Sequence, residues 1–149
     1  MNNNHTSISK KQLSGEPQII KTIMNKLLLV DGNAILHRAY HSTPPFKTSS
    51  GMVTNAIYGF LRMFIDVMKK EKPSFVAIAW DRKAPTYRHT EFKDYKATRS
   101  APPDDLYPQM PKLKEVLSTL NIKSVEMDGY EADDLLGTMA YLAEQTNEY

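Results

Sequence analysis

The sequence predicts an α/β fold in which a parallel β-sheet is flanked by helices. Short apolar runs typical of buried strands alternate along the chain with longer segments whose apolar residues recur at helical spacing. This alternation is what a parallel sheet covered on both faces requires. The chain has 149 residues, of which 41% are hydrophobic and 24% are charged, and it is therefore long enough for one domain with its own core.

The chain begins with a polar appendage. Residues 1–25 have no sustained hydrophobic period and no apolar segment of the kind that a secretory signal needs, so we expect a disordered leader. Regular patterning starts at Lys26, and the folded unit is predicted to be residues 26–149. Its first elements are a buried strand over residues 26–30 and a helix over residues 33–41.

The middle of the chain predicts a long helix and a second strand. Residues 42–53 are a loop, because they are rich in Pro, Ser and Gly. Thr54 is expected to cap a helix whose apolar side chains recur three and four apart as far as Met68. Residues 74–80 are predicted to form the second buried strand, which ends directly before Asp81.

The last part of the chain predicts a helix, a strand and a closing helix. The first of these is expected to open at Asp104 or Asp105, with Pro111 kinking or delaying it. The third strand is predicted over residues 122–127 and the closing helix over residues 131–144. The inner face of the first helix is expected to carry Leu113, Val116, Leu117 and Leu120.

Charge is distributed unevenly, although the net charge is only +2. Residues 82–99 carry six Lys or Arg against two acids, whereas residues 104–149 carry ten acids against three bases. This division suits a protein that contacts a polyanion at one place and holds cations at another, but ordinary surface chemistry also produces it. The absence of cysteine excludes disulfides and cysteine-based zinc sites, and no apolar run approaches membrane-spanning length.

Carboxylates follow all three predicted strands, at the edge where the functional crevice of a parallel sheet lies. Asp31 follows the first strand and Asp81 the second, and the turn after the third leads into Glu131, Asp133 and Asp134. Carboxylates gathered at one edge repel each other, so that either their pKa values rise or only bound cations can neutralise them. Clustered carboxylate oxygens favour Mg²⁺ or Mn²⁺ over zinc.

Helix capping is the alternative interpretation of the same residues. Aspartate is a common turn former and N-cap, and the helix dipole favours acids in a first turn by about 0.3–1 kcal/mol each. The residue pattern alone therefore leaves metal binding and capping open. His37 and His41 lie four apart on the first helix, but the absence of a nearby third ligand argues against a zinc site.

The segment 82–103 interleaves cations with aromatic rings. Cations that neutralise phosphates, beside rings that stack on unpaired bases, are typical of single-strand nucleic-acid binding. A solvated helix with inward-packed aromatics is the alternative. The cations are Arg82, Lys83, Arg88, Lys93, Lys96 and Arg99, and the rings are Tyr87, Phe92 and Tyr95.

Four separated segments together resemble a known family. They are LLLVDGNAILHRAYHS, TNAIYGFLRM, AWDRKAPTYRHTEFKDYKATR and MDGYEADDLLGTMA, in this order and spacing. They closely resemble the 5′-nuclease domain at the N-terminus of bacterial DNA polymerases I, which belongs to the flap endonuclease family. The resemblance runs from about Lys26 to the end of the chain. It implies a PIN-like, resolvase-like sheet and a 5′→3′ nuclease of DNA replication and repair, acting on DNA with a 5′ single-stranded flap, a nick or a gap.

The resemblance also implies roles for individual residues. Residues 82–103 would form an arch over the single-stranded 5′ end, and Arg88 and Lys96 would stabilise charge at the scissile phosphate. The implied ligands of two divalent ions, Mg²⁺ or Mn²⁺, are Asp31, Asp81, Glu131, Asp133 and Asp134. The implied DNA contacts are Arg82, Lys83, Arg88, Lys93, Lys96, Arg99 and Tyr58. The family further implies a cytoplasmic, nucleoid-associated bacterial protein without membrane contact.

The chain departs from the family by ending at Tyr149. The family continues with a further aspartate-bearing strand, a helix-hairpin-helix element and a polymerase region. We therefore expect a sheet that is incomplete on its C-terminal side, with the missing nuclease portion and polymerase domain supplied in cis or in trans. Such a chain is expected to bind Mg²⁺ or Mn²⁺ weakly and to cleave slowly or not at all.

Other functions share parts of this pattern. A non-catalytic DNA-binding module would keep the basic segment without a working metal site. A PIN-type ribonuclease would share the acidic crevice, although the long basic and aromatic segment argues against it. An aspartate-based phosphotransferase usually has a second Asp two residues after its nucleophile, where this chain has Asn33.

Overall fold

The computed structural model describes residues 25–92, 95–96 and 101–146, so that the predicted leader lies almost wholly outside the described residues. Within them, three parallel strands form one sheet in the order β1-β2-β3. The strands are β1 Leu27–Asp31, β2 Phe75–Ala79 and β3 Lys123–Val125, and the helices are α1 Gly32–Ser42, α2 Asn55–Glu71, α3 Tyr87–Glu91, α4 Gln109–Thr119 and α5 Ala132–Thr146.

Helices cover both faces of the sheet, as its central strand β2 requires. Ile78 and Trp80 pack into a core with α1, α2 and α4, whereas Ala79 packs against Ala132 and Leu135 of α5. Successive side chains of a strand point to opposite faces, so one strand supplies both cores. The predicted α/β fold with a parallel sheet between helices is confirmed.

Trp80 fills the larger core at the carboxyl end of β2. Its ring is fully buried and stacks on Phe60 with the ring centroids 5.9 Å apart, and its Nε1 donates to Ser124 Oγ over 3.3 Å. A Cβ atom placed on Gly32 would lie 2.6 Å from the indole. Glycine therefore lets the start of α1 approach the tryptophan.

Helix α4 begins later than its acidic residues predict. Asp104 and Asp105 lie in turns, and the helix starts at Gln109, directly after Pro108. Pro111 occupies the first turn, where backbone N–H groups have no intrahelical partner and a proline is tolerated. The predicted opening at Asp104 or Asp105 is wrong because Asp105 has another role: its Oδ1 accepts a 2.6 Å hydrogen bond from the Tyr40 hydroxyl.

The predicted inner face of α4 is half right. Leu113 and Leu117 are fully buried, whereas Val116 is 37% exposed and Leu120 is 58% exposed. The helix contacts the core through a narrow stripe, so that only its residues four apart are covered.

The N-terminus of α2 is satisfied by a residue distant in sequence. Thr54 is the N-cap by position, but its side chain makes no capping hydrogen bond. Oε1 of the fully buried Gln109 accepts instead from the N–H groups of Ala56, over 2.9 Å, and Ile57, over 3.3 Å. The start of α4 and the start of α2 are thereby joined by one amide.

None of the helices in the described part of the chain is both long enough and apolar enough to cross a membrane.

The contact between Gly32 and Trp80 generates a prediction about stability. We expect Gly32→Ala to lower the free energy of unfolding by about 1–3 kcal/mol, because the added methyl group must displace the buried indole or the start of α1. Gly137→Ala is the matched control, since nothing lies within 4 Å of its added Cβ and alanine is the better helix former. Urea unfolding followed by tryptophan fluorescence measures both, and equal stabilities of the two variants would contradict the prediction.

Candidate active site

Acidic residues from three parts of the chain meet at the carboxyl edge of the sheet. Asp31 ends β1, Asp81 follows β2, and Glu131 and Asp133 lie at the start of α5. All four line one open cavity of about 610 Å³. They meet because the strands run parallel, with Asp31 paired in register to Ala79 and Ala79 paired to Val125.

Asp31 and Asp81 each cap a helix. Oδ1 of Asp31 accepts from the N–H of Ala34 over 2.9 Å, at the start of α1. Oδ1 of Asp81 accepts from the N–H of Ala132 over 2.7 Å, at the start of α5. The capping interpretation is therefore confirmed for Asp31, whereas Asp81 caps a helix that begins 51 residues further along the chain. Because a carboxylate has two oxygens and about four acceptor positions, one such bond leaves room for further ligands.

The other acidic residues contact the basic segment that follows β2. Arg88 donates through both Nη atoms to the two oxygens of Asp134, over 2.7 and 2.6 Å. Lys96 Nζ donates to Glu131 Oε1 over 2.7 Å, and the Tyr95 hydroxyl donates to Glu131 Oε2 over 3.0 Å. The expectation that either raised pKa values or bound cations would relieve the repulsion is wrong for Glu131 and Asp134 in this arrangement, because Lys96 and Arg88 neutralise them.

The ion pairs shift the pKa values of the groups that form them. The hydrogen bonds from Arg88 lower the pKa of Asp134 from 3.8 to about 2, against the opposing effect of burial. Burial by itself raises the pKa of Glu131, but hydrogen bonds from Lys96 and Tyr95 outweigh it and the net pKa is lowered. The bond to Asp134 raises the pKa of Arg88. All three groups are therefore charged at neutral pH.

The donor set at this edge suits a hard divalent cation. Its members are carboxylates, the ligands that Mg²⁺ and Mn²⁺ prefer. Asp133 is exposed, lines the cavity with Asp31 and Asp81, and supplies a third carboxylate there. In the conformation described, no three acidic or histidine side chains of residues 25–92, 95–96 and 101–146 are close enough to hold an ion together. Binding therefore requires side-chain rearrangement.

A second cavity adjoins the acidic one and is lined by the basic segment. It has a volume of about 470 Å³ and shares Asp81, Lys96 and Glu131 with the acidic cavity. Arg82 and Lys83 line it; Arg82 also forms an ion pair with Asp128, Nε to Oδ1 2.9 Å. A cavity lined by basic residues therefore adjoins the cavity lined by the carboxylates.

Three of the predicted site residues, Asp134, Arg88 and Tyr58, line neither of these cavities. Asp134 lines a cleft with Tyr87 and Tyr130, where it meets Arg88. Tyr58 is 52% exposed and packs edge-on against Phe46, beside a different cavity. Lys93 and Arg99 lie outside the described residues.

Sequence reasoning did not assign the contacts that three residues make at the site. Asn33 Oδ1 accepts from the N–H of Asp81 over 3.1 Å, Tyr95 binds Glu131, and Tyr107 lines both cavities. The position of Asn33 two residues after Asp31 was a usable signal, because the start of a helix that follows one strand lies near the end of the neighbouring strand. No local pattern marks Tyr107.

Comparison with known proteins identifies relatives of this chain. Residues 26–149 match the family model described as 5′-3′ exonuclease, N-terminal resolvase-like domain. DNA polymerase I of Caldicellulosiruptor bescii is 43% identical over 114 residues, which are 76% of this chain and 13% of that protein. A 5′-3′ exonuclease of Aquifex aeolicus is 42% identical over 125 residues, which are 84% of this chain and 42% of that protein.

Solved structures share the fold. A mutant of the T5 5′-exonuclease superposes with a TM-score of 0.57 at 14% identity, covering 81% of this chain and 39% of that one. The bacteriophage T5 flap endonuclease, in a pseudo-enzyme-product complex with DNA and metal ions, superposes with a TM-score of 0.55 at 18% identity, covering 82% of this chain and 46% of that one.

The chain spans about an eighth of the length of the polymerase relative and about two fifths of the length of the exonuclease relative. The match to the family model nevertheless covers all of the sequence from residue 26 onwards. The chain therefore belongs to the family of 5′-3′ exonuclease N-terminal, resolvase-like domains.

Proposed function

We propose that this chain carries a divalent-metal-dependent nuclease centre that hydrolyses phosphodiester bonds in DNA bearing a 5′ single-stranded flap or a nick. The observation that carries the proposal is the convergence of Asp31, Asp81, Glu131 and Asp133 on one cavity beside a basic one. The names of its relatives, DNA polymerase I and 5′-3′ exonuclease, support a role in DNA replication and repair.

The proposed ligands are the five carboxylates at the carboxyl edge of the sheet. Asp31, Asp81 and Asp133 would bind at the cavity that they line, after rearrangement of their side chains, and Glu131 and Asp134 would join them after leaving their basic partners. The bound ions, Mg²⁺ or Mn²⁺, would activate water and stabilise the leaving oxygen. A T5 flap endonuclease of the same fold has been crystallised with DNA and metal ions, which supports a divalent cofactor.

The basic residues are proposed to hold the scissile phosphate. The guanidinium of Arg88 already makes a bidentate contact with a carboxylate, and the same planar arrangement of donors fits a phosphate. Lys96 would act beside it as a point charge. Both would stabilise the charge that develops on the non-bridging oxygens of the phosphate.

The rest of the substrate is proposed to lie along the basic segment. Arg82 and Lys83 face the second cavity and would bind phosphates of the single strand. Lys93, Arg99 and Tyr58 are the further DNA contacts that we propose.

A non-catalytic DNA-binding module is the second candidate function. It is favoured by the engagement of Glu131 and Asp134 with Lys96 and Arg88, which occupies two proposed ligands. The acidic cavity would bind divalent ions in the nuclease but not in the DNA-binding module, so a measurement of metal binding distinguishes the two functions.

The first prediction of the proposed function concerns Asp133, which is exposed and whose removal spares the caps of α1 and α5. We expect Asp133→Asn to weaken Mn²⁺ binding at least tenfold, measured by calorimetry, and to abolish the slow Mn²⁺-dependent cleavage of a labelled 5′-flap DNA. Asp104→Asn is the matched control, because it removes an exposed carboxylate outside both cavities. The non-catalytic module would be favoured instead if neither EDTA nor Asp133→Asn changed the affinity for DNA and no metal-dependent cleavage were detected.

The second prediction concerns the phosphate contact of Arg88. We expect Arg88→Gln to reduce single-turnover cleavage of the flap DNA about 100-fold or more, since a positioned charge at a developing oxyanion contributes on that order. Arg38→Gln, on the exposed surface of α1, removes the same charge elsewhere and should leave the rate unchanged. If both substitutions lower the rate equally, the effect is one of net charge and the assigned role of Arg88 is wrong.

The third prediction uses the lowered pKa of Asp134. A carboxyl group whose pKa falls on folding contributes stability that is fully present above its unfolded pKa of 3.8 and is lost as the pH falls through its folded value of about 2. The wild-type chain should therefore be more stable than Asp134→Asn near neutral pH, and the difference should shrink as the pH falls from about 4 towards 2. Urea unfolding at several pH values measures it, and a difference that stays constant over this range would contradict the assigned pairing with Arg88.

A further inference from the structure

Tyr107 is an exposed aromatic residue in a turn that is anchored in the core on both sides. Its predecessor Leu106 and the following Gln109 are both fully buried, whereas Tyr107 itself is 40% exposed. The core therefore fixes the backbone on both sides of this tyrosine.

Hydrogen bonds hold the same turn rigid. The N–H of Leu106 donates to the carbonyl of Pro103 over 3.1 Å, and the N–H of Gln109 donates to the carbonyl of Leu106 over 3.0 Å. The Gln109 side chain adds a bond from its Nε2 to the carbonyl of Asp105, over 2.9 Å. A ring presented from such a turn is pre-organised, so that little conformational entropy is lost when a ligand stacks on it.

The position of the ring joins the two cavities. Tyr107 lines both the acidic cavity, with Asp31 and Asp133, and the basic cavity, with Arg82 and Lys83. The ammonium of Lys83 lies 5.4 Å from the centre of the ring. Because this ammonium lies over one face of the ring, a base would stack on the opposite face, while the ammonium meets the phosphate of the same nucleotide.

We propose that Tyr107 is a stacking platform for an unpaired DNA base adjacent to the phosphate held at the acidic cavity. The inference rests on the proposed function and deepens it, since it names a residue outside the basic segment 82–103 that contacts the single strand. Lys83 neutralises the phosphate of the same nucleotide. The ring thereby sets which phosphodiester of the flap lies over the carboxylates.

The test places 2-aminopurine, a fluorescent base whose emission falls on stacking, at the first unpaired position of a 5′-flap DNA in Ca²⁺. The full chain is expected to quench it on binding, and Tyr107→Leu is expected to abolish the quenching and to weaken flap binding about tenfold. Binding of a blunt duplex should be unaffected by this substitution. Tyr107→Phe keeps the aromatic face and should retain the quenching.

Tyr141→Leu is the matched control, because it removes an exposed tyrosine from α5, away from both cavities. Thermal unfolding verifies that each variant is folded, and the quenching by the wild-type chain is a readout that needs no variant. Unchanged flap binding by Tyr107→Leu, equal weakening with flap and duplex, or absence of quenching by the wild-type chain would overturn the inference.

Different results would contradict the stacking role of Tyr107 and the proposed nuclease function. If the wild-type chain cleaves the flap in Mn²⁺ but does not quench the base, the stacking role of Tyr107 is wrong and the proposed function stands. If the wild-type chain neither binds nor cleaves the flap, the proposed function is wrong and the stacking role is overturned with it.

Discussion

The carboxylate of Asp81, at the end of the central strand, is the joint on which the arrangement of this edge depends. Its Oδ1 accepts from the N–H of Ala132 and so fixes the start of α5. The backbone N–H of Asp81 donates to Oδ1 of Asn33 in the first turn of α1. One residue thereby ties two helix N-termini to β2. Because Glu131 and Asp133 flank Ala132 and Asp31 precedes α1, this joint also sets the distances among the acidic side chains.

The repulsion among the carboxylates of the site is relieved by helix N-termini and by basic side chains. The carboxylates would repel each other if they were left alone, but two of them are helix caps and two are paired with Arg88 and Lys96. Helix N-termini and basic side chains both stabilise negative charge, so the acids are tolerated without an ion. Capping and ligation are therefore compatible uses of the same carboxylate, because each cap occupies only one oxygen.

Much of the fold follows from local pattern, and much of the site follows from topology. The apolar runs predicted as strands over residues 26–30 and 74–80 correspond to β1 Leu27–Asp31 and β2 Phe75–Ala79, and the parallel connection of the strands is enough to bring Asp31 and Asp81 to one edge. The cap that Gln109 supplies to α2 joins residues 53 apart, and no local pattern indicates such a contact. The start of α4 was misjudged for the same reason, since the carboxylate of Asp105 binds a tyrosine that is 65 positions away.

The pairs of Arg88 with Asp134 and of Lys96 with Glu131 join residues 46 and 35 positions apart, so no local sequence pattern indicates them. If a phosphate of DNA takes over Arg88 and Lys96, Glu131 and Asp134 are left as partly buried carboxylates without counter-charges, which is costly. A divalent cation arriving at the cavity removes that cost. On the proposed function, each ligand thus stabilises the state that the other needs, and by linkage DNA and metal bind with positive cooperativity.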